Sequence, residues 1–315
     1  MSIVSIFAQI SWQSYVIIPS VLLVVMFAAL IVFAIMVLRY ETFLIGIPWS
    51  YKSLATTFNI SLLVMILSTM ILYIVNIILY TCILQIYTTV ASCPTFEDTV
   101  KYTGMSQILC YTAYEIAYLN YTYKRTIAMM KRSFPKLSAW LKRIMPFVPF
   151  LIGIQIIPDF CLDNMVTTST SPETIQIVES ITFAALGLTG VITISLDVVF
   201  LATFIVQVRK THSDGDRAEE KFMVIATHGI GIVTVSFFVF AAYVIEWAYG
   251  IYFMQTLNSV FFGISVLILV NMKVVLYRLK MKRNDTMQAY ALILPGGVCE
   301  TAIDSSRTTQ QTAFG

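Results

Sequence analysis

Four ionisable side chains stand inside stretches that are otherwise apolar: Glu115, Asp197, His228 and Lys273. An ionised group within hydrocarbon costs roughly 2.5 to 3.5 kcal/mol on insertion scales, so each needs a partner, a neutral form or a route to water. Residue type limits what each can do. A lysine in an apolar helix can anchor a carbonyl cofactor as a Schiff base, pair with a carboxylate, or reach the headgroups along its four-carbon stem. A buried carboxylate can hold a proton or bind a polar partner across helices. Metal chemistry is not expected, because His228 and His212 are the only histidines and supply no ligand spacing. The run His228-Gly229-Ile230-Gly231 lacks the preceding strand of a dinucleotide fingerprint, and no nucleophile stands beside a base. The chain therefore reads as a non-enzyme without a cofactor.

The elements that must hold these groups follow from composition. Of 315 residues, 58% are hydrophobic and 12% charged, with a mean hydropathy of +0.82. A soluble domain carries about 25% charged residues. Seven stretches are long enough to span a hydrocarbon core about 30 Å thick: residues 15–38, 54–81, 96–123, 144–160, 181–208, 222–247 and 253–277. The expected fold is an all-α membrane protein, a seven-helix bundle over 15–283. It would have a short outer N-terminal segment, 1–14, and a disordered polar tail, 284–315.

Orientation follows from the basic residues. With the N-terminus outside, eighteen of the twenty lysines and arginines fall in cytoplasmic loops or the tail, leaving Lys101 outside and Lys273 within a helix. Because the charge is sorted by membrane side, a nucleic-acid partner is not expected. The partner implied directly is the lipid bilayer. All four tryptophans (Trp12, Trp49, Trp140, Trp247) fall near predicted boundaries, where an amphipathic ring is stable.

Depth separates the four ionisable groups. At about 1.5 Å per residue from the nearest cytoplasmic basic residue, Glu115 lies about 13 Å in, Asp197 about 18 Å, His228 about 10 Å and Lys273 about 7 Å. Lys273 is too shallow for a chromophore lysine, since the middle of its span is near Gly263 to Val266. It is expected to snorkel to the inner boundary. Asp197 has no such route and is the stronger functional candidate.

Residues 118–125 read Tyr-Leu-Asn-Tyr-Thr-Tyr-Lys-Arg, the last stretch carries Asn271 and Tyr277, and Cys93 and Cys161 flank the third and fourth stretches. With the seven spans and the basic second cytoplasmic loop, this resembles the G-protein-coupled receptors, in a divergent form. Arg125 stands where the family has the arginine of Asp-Arg-Tyr, without the preceding acid or the following Tyr. Asn271 and Tyr277 stand for Asn-Pro-x-x-Tyr, without the proline and at wider spacing. The helix-six tryptophan and proline of the family are absent.

The resemblance implies a plasma-membrane receptor that binds an extracellular ligand between the outer halves of helices three, five, six and seven. It implies a heterotrimeric G protein as cytoplasmic partner, faced by Lys124, Arg125, Asn271 and Tyr277. It also implies a disulfide between Cys93 and Cys161, against the alternative of two unpaired thiols. Glu115, Asp197, His228 and Lys273 become candidate polar switches, with a Glu115–Lys273 ion pair as the lock of a closed state. Two other readings stay open: a transporter using Glu115, Asp197 and Lys273 along an ion or proton path, and an adaptor without a ligand.

Overall fold

The computed structural model describes residues 12–39, 56–89, 96–167, 171–213, 219–249 and 253–293. Apart from short turns and caps, these residues are helical: α1 (Trp12–Met36), α2 (Thr57–Thr89), α3 (Phe96–Ser133), α4 (Pro135–Ile144), α5 (Val148–Gly153), α6 (Ile156–Thr167), α7 (Pro172–Ser213), α8 (Glu219–Tyr249) and α9 (Phe253–Ile293).

Local chemistry sets several boundaries. Thr56 caps α2, its hydroxyl accepting from the Asn59 amide at 3.3 Å. Ser171 accepts from the Thr174 amide at 3.4 Å, and Pro172 fills the first position of α7, where its missing N–H costs nothing. Pro135 stops α3, because the residue before a proline is pushed out of the helical region. Pro19 lies inside α1, and the adjacent Ser20 hydroxyl donates to Val16 O at 2.7 Å, supplying a side-chain bond where the helix loses an amide donor.

Among the described residues, five helices are long and apolar enough to cross a membrane: Ser14–Arg39, Thr57–Ile83, Glu173–Gln207, Glu220–Glu246 and Met254–Lys282. A sixth arises if Pro135–Ile144 and Val148–Leu162, bent by 47° where they meet, form one span. The chain is thus a multi-pass membrane protein, all-helical among the described residues. The third predicted stretch does not meet this measure. Its α3 carries Thr103, Gln107, Thr112, Glu115 and a series of tyrosines where the other spans carry Ile, Leu and Val.

That polarity has a packing reason. α3 lies against α2, α4, α5, α6 and α7, so much of its surface meets protein rather than lipid. The remaining neighbours, α1 with α2, α6 with α7, α7 with α8, α8 with α9 and α9 with both α1 and α2, close the bundle into a ring. Met26, Phe33, Leu62, Met65, Tyr73, Leu119, Phe200, Phe204, Val266 and Met272 form its core. Large apolar side chains such as Val21, Val24, Phe27 and Ile31 of α1 cover the outside. Apolar residues on both the buried and the exposed faces are what a lipid-facing helix requires.

Several helices run past the bounds expected from sequence, α2 on to Thr89 and α7 from Pro172 among them. α3 runs on to Ser133, so part of the basic second loop is helical, and α9 continues to Ile293, into the segment expected to be disordered. Cys93, the residues before Trp12 and the tail after Ile293 lie outside the described residues.

Candidate functional site

Most hydroxyls within the helices close onto their own backbone. Thr69 donates to Met65 O, Thr122 to Tyr118 O, Thr126 to Thr122 O and Thr203 to Val199 O, all at 2.8 to 3.0 Å. Such bonds satisfy the group without joining helices. The polar side chains that cross between helices are the ones to follow, and they occur in three layers arranged along α3.

The middle layer centres on Asp197 of α7, which is 2% exposed. The Tyr118 hydroxyl of α3 donates to its Oδ1 at 2.6 Å, and the Ser236 hydroxyl of α8 donates to its Oδ2 at 3.1 Å. One carboxylate therefore ties three helices together. Tyr118 is held in turn by stacking on Tyr114, with ring centroids 6.2 Å apart.

Glu115 lies one turn away on α3 and points elsewhere. Gln155, 1% exposed in the break between α5 and α6, donates from Nε2 to Thr112 Oγ1 at 2.9 Å and to Glu115 Oε2 at 3.3 Å. It accepts from the Thr189 hydroxyl of α7 at 2.8 Å. Pro149 and Pro158 interrupt the helical bonding on either side, and the Gln155 side chain bridges α3 to α7 across the interruption.

The outer layer is neutral and was not anticipated from sequence. Gln107 of α3 donates to Asn76 of α2 at 2.7 Å, Asn76 donates to Ser259 Oγ of α9 at 2.9 Å, and Gln255 of α9 donates to Gln107 at 2.9 Å. Tyr73 adds a bond to Ser259 O at 2.9 Å, and Tyr80 one to Gln255 Oε1 at 3.3 Å. The amide and hydroxyl groups satisfy one another, as burial in a low-dielectric bundle demands. The available signal was the isolated Asn76 within Ile-Val-Asn-Ile-Ile and the isolated Gln155 within Ile-Gln-Ile.

The inner layer corrects two expectations. Lys273 does not snorkel: it is 9% exposed, and its ammonium donates to Asn59 Oδ1 of α2. Its Nζ lies 4.9 Å from the Phe33 ring centre and 5.5 Å from that of Tyr277, so it sits among α1, α2 and α9. Counting residues gave its depth along α9 but not its rotation toward the core. Nor does Glu115 pair with Lys273, because Glu115 meets Gln155 on the side of α3 toward α7 while Lys273 faces α1 and α2.

Among the residues implied by the receptor resemblance, Lys124 is exposed and Arg125 turns inward. The Arg125 guanidinium lies against Met272 Sδ of α9, 4.9 Å from the Phe204 ring centre and 5.9 Å from that of Tyr121. Its Nε is buried without a hydrogen-bond partner. His228 Nδ1 lies 2.8 Å from Val224 O, and a carbonyl can only accept, so Nδ1 donates and Nε2 accepts from Asn271 Nδ2 at 3.2 Å. Arg125 thus meets α9 beside Asn271, His228 joins α8 to α9, and Tyr277 flanks Lys273. Cys161 is exposed and unbridged among the described residues, and Cys93 lies outside them.

The three layers have no three-carboxylate or His/Cys grouping that could hold a metal among the described residues. No family model, curated protein or solved structure matches this chain.

Proposed function

We propose that the chain is a receptor of the G-protein-coupled type in the plasma membrane. It would have seven spans, with α3 as the third and the bent α4 to α6 segment contributing the fourth, its N-terminus outside and its C-terminus in the cytoplasm. An extracellular ligand enters between the outer halves of the helices, and the inner ends of α3, α7, α8 and α9 engage a heterotrimeric G protein. The observation that carries this reading is the Asp197 clasp. A single carboxylate joins α3, α7 and α8 between an outer polar layer and an inner layer containing Arg125. A ligand that favours an arrangement with the clasp open shifts the population toward the signalling state. The test is nucleotide exchange on a panel of heterotrimeric G proteins in membranes holding the full chain, with Tyr118→Phe as the variant that weakens the clasp.

A second reading, a proton- or ion-coupled transporter, draws support from the interrupted segment at Gln155. Helices interrupted within the membrane are a recurrent transporter feature. The Thr193 hydroxyl, buried without a partner on α7 between Thr189 and Asp197, adds a polar position along that side. Flux in proteoliposomes that is abolished by Asp197→Asn, together with no nucleotide exchange, would select this reading.

A further inference from the structure

Between Glu115 and Asp159 the chain carries seven basic residues, Lys124, Arg125, Lys131, Arg132, Lys136, Lys142 and Arg143, and no acidic one. Arg125 turns into the bundle, but Lys124, Lys131, Lys136, Lys142 and Arg143 are exposed, and among the described residues none of these five has an ion-pair partner. The last three stand on α4, a ten-residue helix that packs on α3.

α4 has two chemically distinct sides. Ser138 and Leu141 are buried, and Met145, one turn further on, continues the same side. Lys136, Ala139, Trp140 and Arg143, spaced i, i+3, i+4 and i+7, line the other side, and all four are exposed, Trp140 at 56%. On the helix surface the indole therefore has an ammonium one turn before it and a guanidinium one turn after it. The support beneath is bonded: the Ser133 hydroxyl at the end of α3 donates to Gln207 Oε1 of α7 at 3.0 Å, and the Phe134 and Ser138 amides continue the backbone bonding across the Pro135 junction.

The level of this face in the membrane follows from what comes next in the chain. Within one turn of Arg143 the exposed side chains become apolar, and Phe147, Phe150, Leu151, Ile154 and Ile157 are 39% to 71% exposed. The helix axis bends by 47° between α4 and the segment that begins at Val148. Exposed phenylalanine and isoleucine are stable in hydrocarbon and exposed lysine and arginine are not, so the change of chemistry at Arg143 sets α4 at the headgroups.

We propose that the exposed side of α4 binds the headgroups of anionic phospholipids, with Lys136 and Arg143 engaging lipid phosphate on either side of Trp140. A guanidinium accepts a phosphate in a two-bond geometry and an ammonium meets it as a point charge. A zwitterionic headgroup brings its own cation, whereas an anionic one leaves a net negative charge for a basic cluster that has no carboxylate of its own. Lys131 and Lys142 add positive charge at the rim. The inference depends on the multi-pass membrane character of the chain and not on the receptor reading.

The test places the full chain in phosphatidylcholine nanodiscs containing a small fraction of acyl-brominated lipid, either phosphatidylglycerol or phosphatidylcholine. Bromine quenches the tryptophans it meets, and the difference between the chain and its Trp140→Phe variant isolates the signal of Trp140. At equal mole fraction, brominated phosphatidylglycerol should quench Trp140 about threefold or more strongly than brominated phosphatidylcholine, and Lys136→Gln/Arg143→Gln should remove most of that difference. Both replaced side chains are exposed, so the double variant should unfold at the wild-type midpoint. If it does not fold, the single variants take its place, each losing part of the preference. Equal quenching by the two lipids in the wild-type chain, or a preference that the folded variants keep in full, would overturn the proposal. A preference abolished by soluble glycerol phosphate, but not by chloride at matched ionic strength, would indicate a free-phosphate site and overturn it as well.

Discussion

The Tyr118 hydroxyl donates to Oδ1 of Asp197 across 2.6 Å, linking α3 to α7 through a carboxylate that Ser236 of α8 also holds. Each donor acts from a different helix on one rigid acceptor, so movement of any of the three helices must stretch at least one bond. The relationship makes the middle of the bundle a place where packing and signalling can be coupled.

Removing the donors should therefore destabilise the bundle in a coupled way. Tyr118→Phe keeps the ring and loses the bond, for about 1 kcal/mol, within the range of hydrogen bonds between membrane helices. Ser236→Ala should cost less, because its bond is longer. In a double-mutant cycle by thermal unfolding in detergent, Tyr118→Phe with Asp197→Asn should show a coupling energy of about 0.5 kcal/mol or more. Strict additivity would mean that the pair does not act as a unit.

A close approach between α2 and α9 gives a prediction independent of any charge. A Cβ at Gly263 would collide with the hydroxyl of Tyr73, which is fully buried and bonded to Ser259 O. Gly263→Ala should lower the unfolding midpoint, whereas Gly187→Ala, where nothing lies within 4 Å of the added carbon, should leave it nearly unchanged. Tyr73→Phe should recover part of the loss in the Gly263→Ala background. Equal effects at the two glycines would contradict the packing described.

Lys273 offers a test of burial. Its ammonium is enclosed by Asn59, Phe33 and Tyr277, whereas Lys282 further along α9 is exposed. Acylation of the detergent-solubilised chain with an amine-reactive ester, mapped by mass spectrometry, should modify Lys282 readily and Lys273 only after unfolding. Equal labelling of the two under folding conditions would restore the snorkelling expectation.

Sequence and structure agree where the physical signal is local and part company where it depends on helix rotation. The apolar runs of α1, α2, α7, α8 and α9 were legible because about 20 residues without charge have one stable environment. Asp197 was legible because a lone carboxylate in such a run needs a partner. That the partners are Tyr118 and Ser236 was not legible, since tyrosine and serine are ordinary in such helices and only rotation and tilt bring them together. The same reason separated Glu115 from Lys273, two charges that residue counting sets apart in depth but does not place around the bundle, where they face different helices. The outer amides, Asn76, Gln107 and Gln255, gave no charge signal at all, and α3 was drawn as an ordinary apolar span although its polarity reflects its enclosed position.

The proposed count of spans has a direct consequence for the termini. With α3 and the bent α4 to α6 segment each crossing once, seven crossings put the two ends on opposite sides of the membrane, whereas an even number would put them together. Epitope tags at each end of the chain in intact and permeabilised cells should show the N-terminal tag outside and the C-terminal tag inside. Residues 284–286 read Asn-Asp-Thr, an N-glycosylation sequon, and on this orientation Asn284 should stay unglycosylated. Detection of both tags on one side, or glycan at Asn284, would exclude the orientation.

The most direct measurement is basal nucleotide exchange on the G-protein panel by membranes holding equal surface densities of the wild-type chain and the Tyr118→Phe/Ser236→Ala double variant. Loss of at least about 1 kcal/mol of bonding from the closed state should raise the open population, and with it basal exchange on at least one G protein, about fivefold or more. No exchange above empty membranes on any member of the panel, from either protein, would contradict the receptor reading.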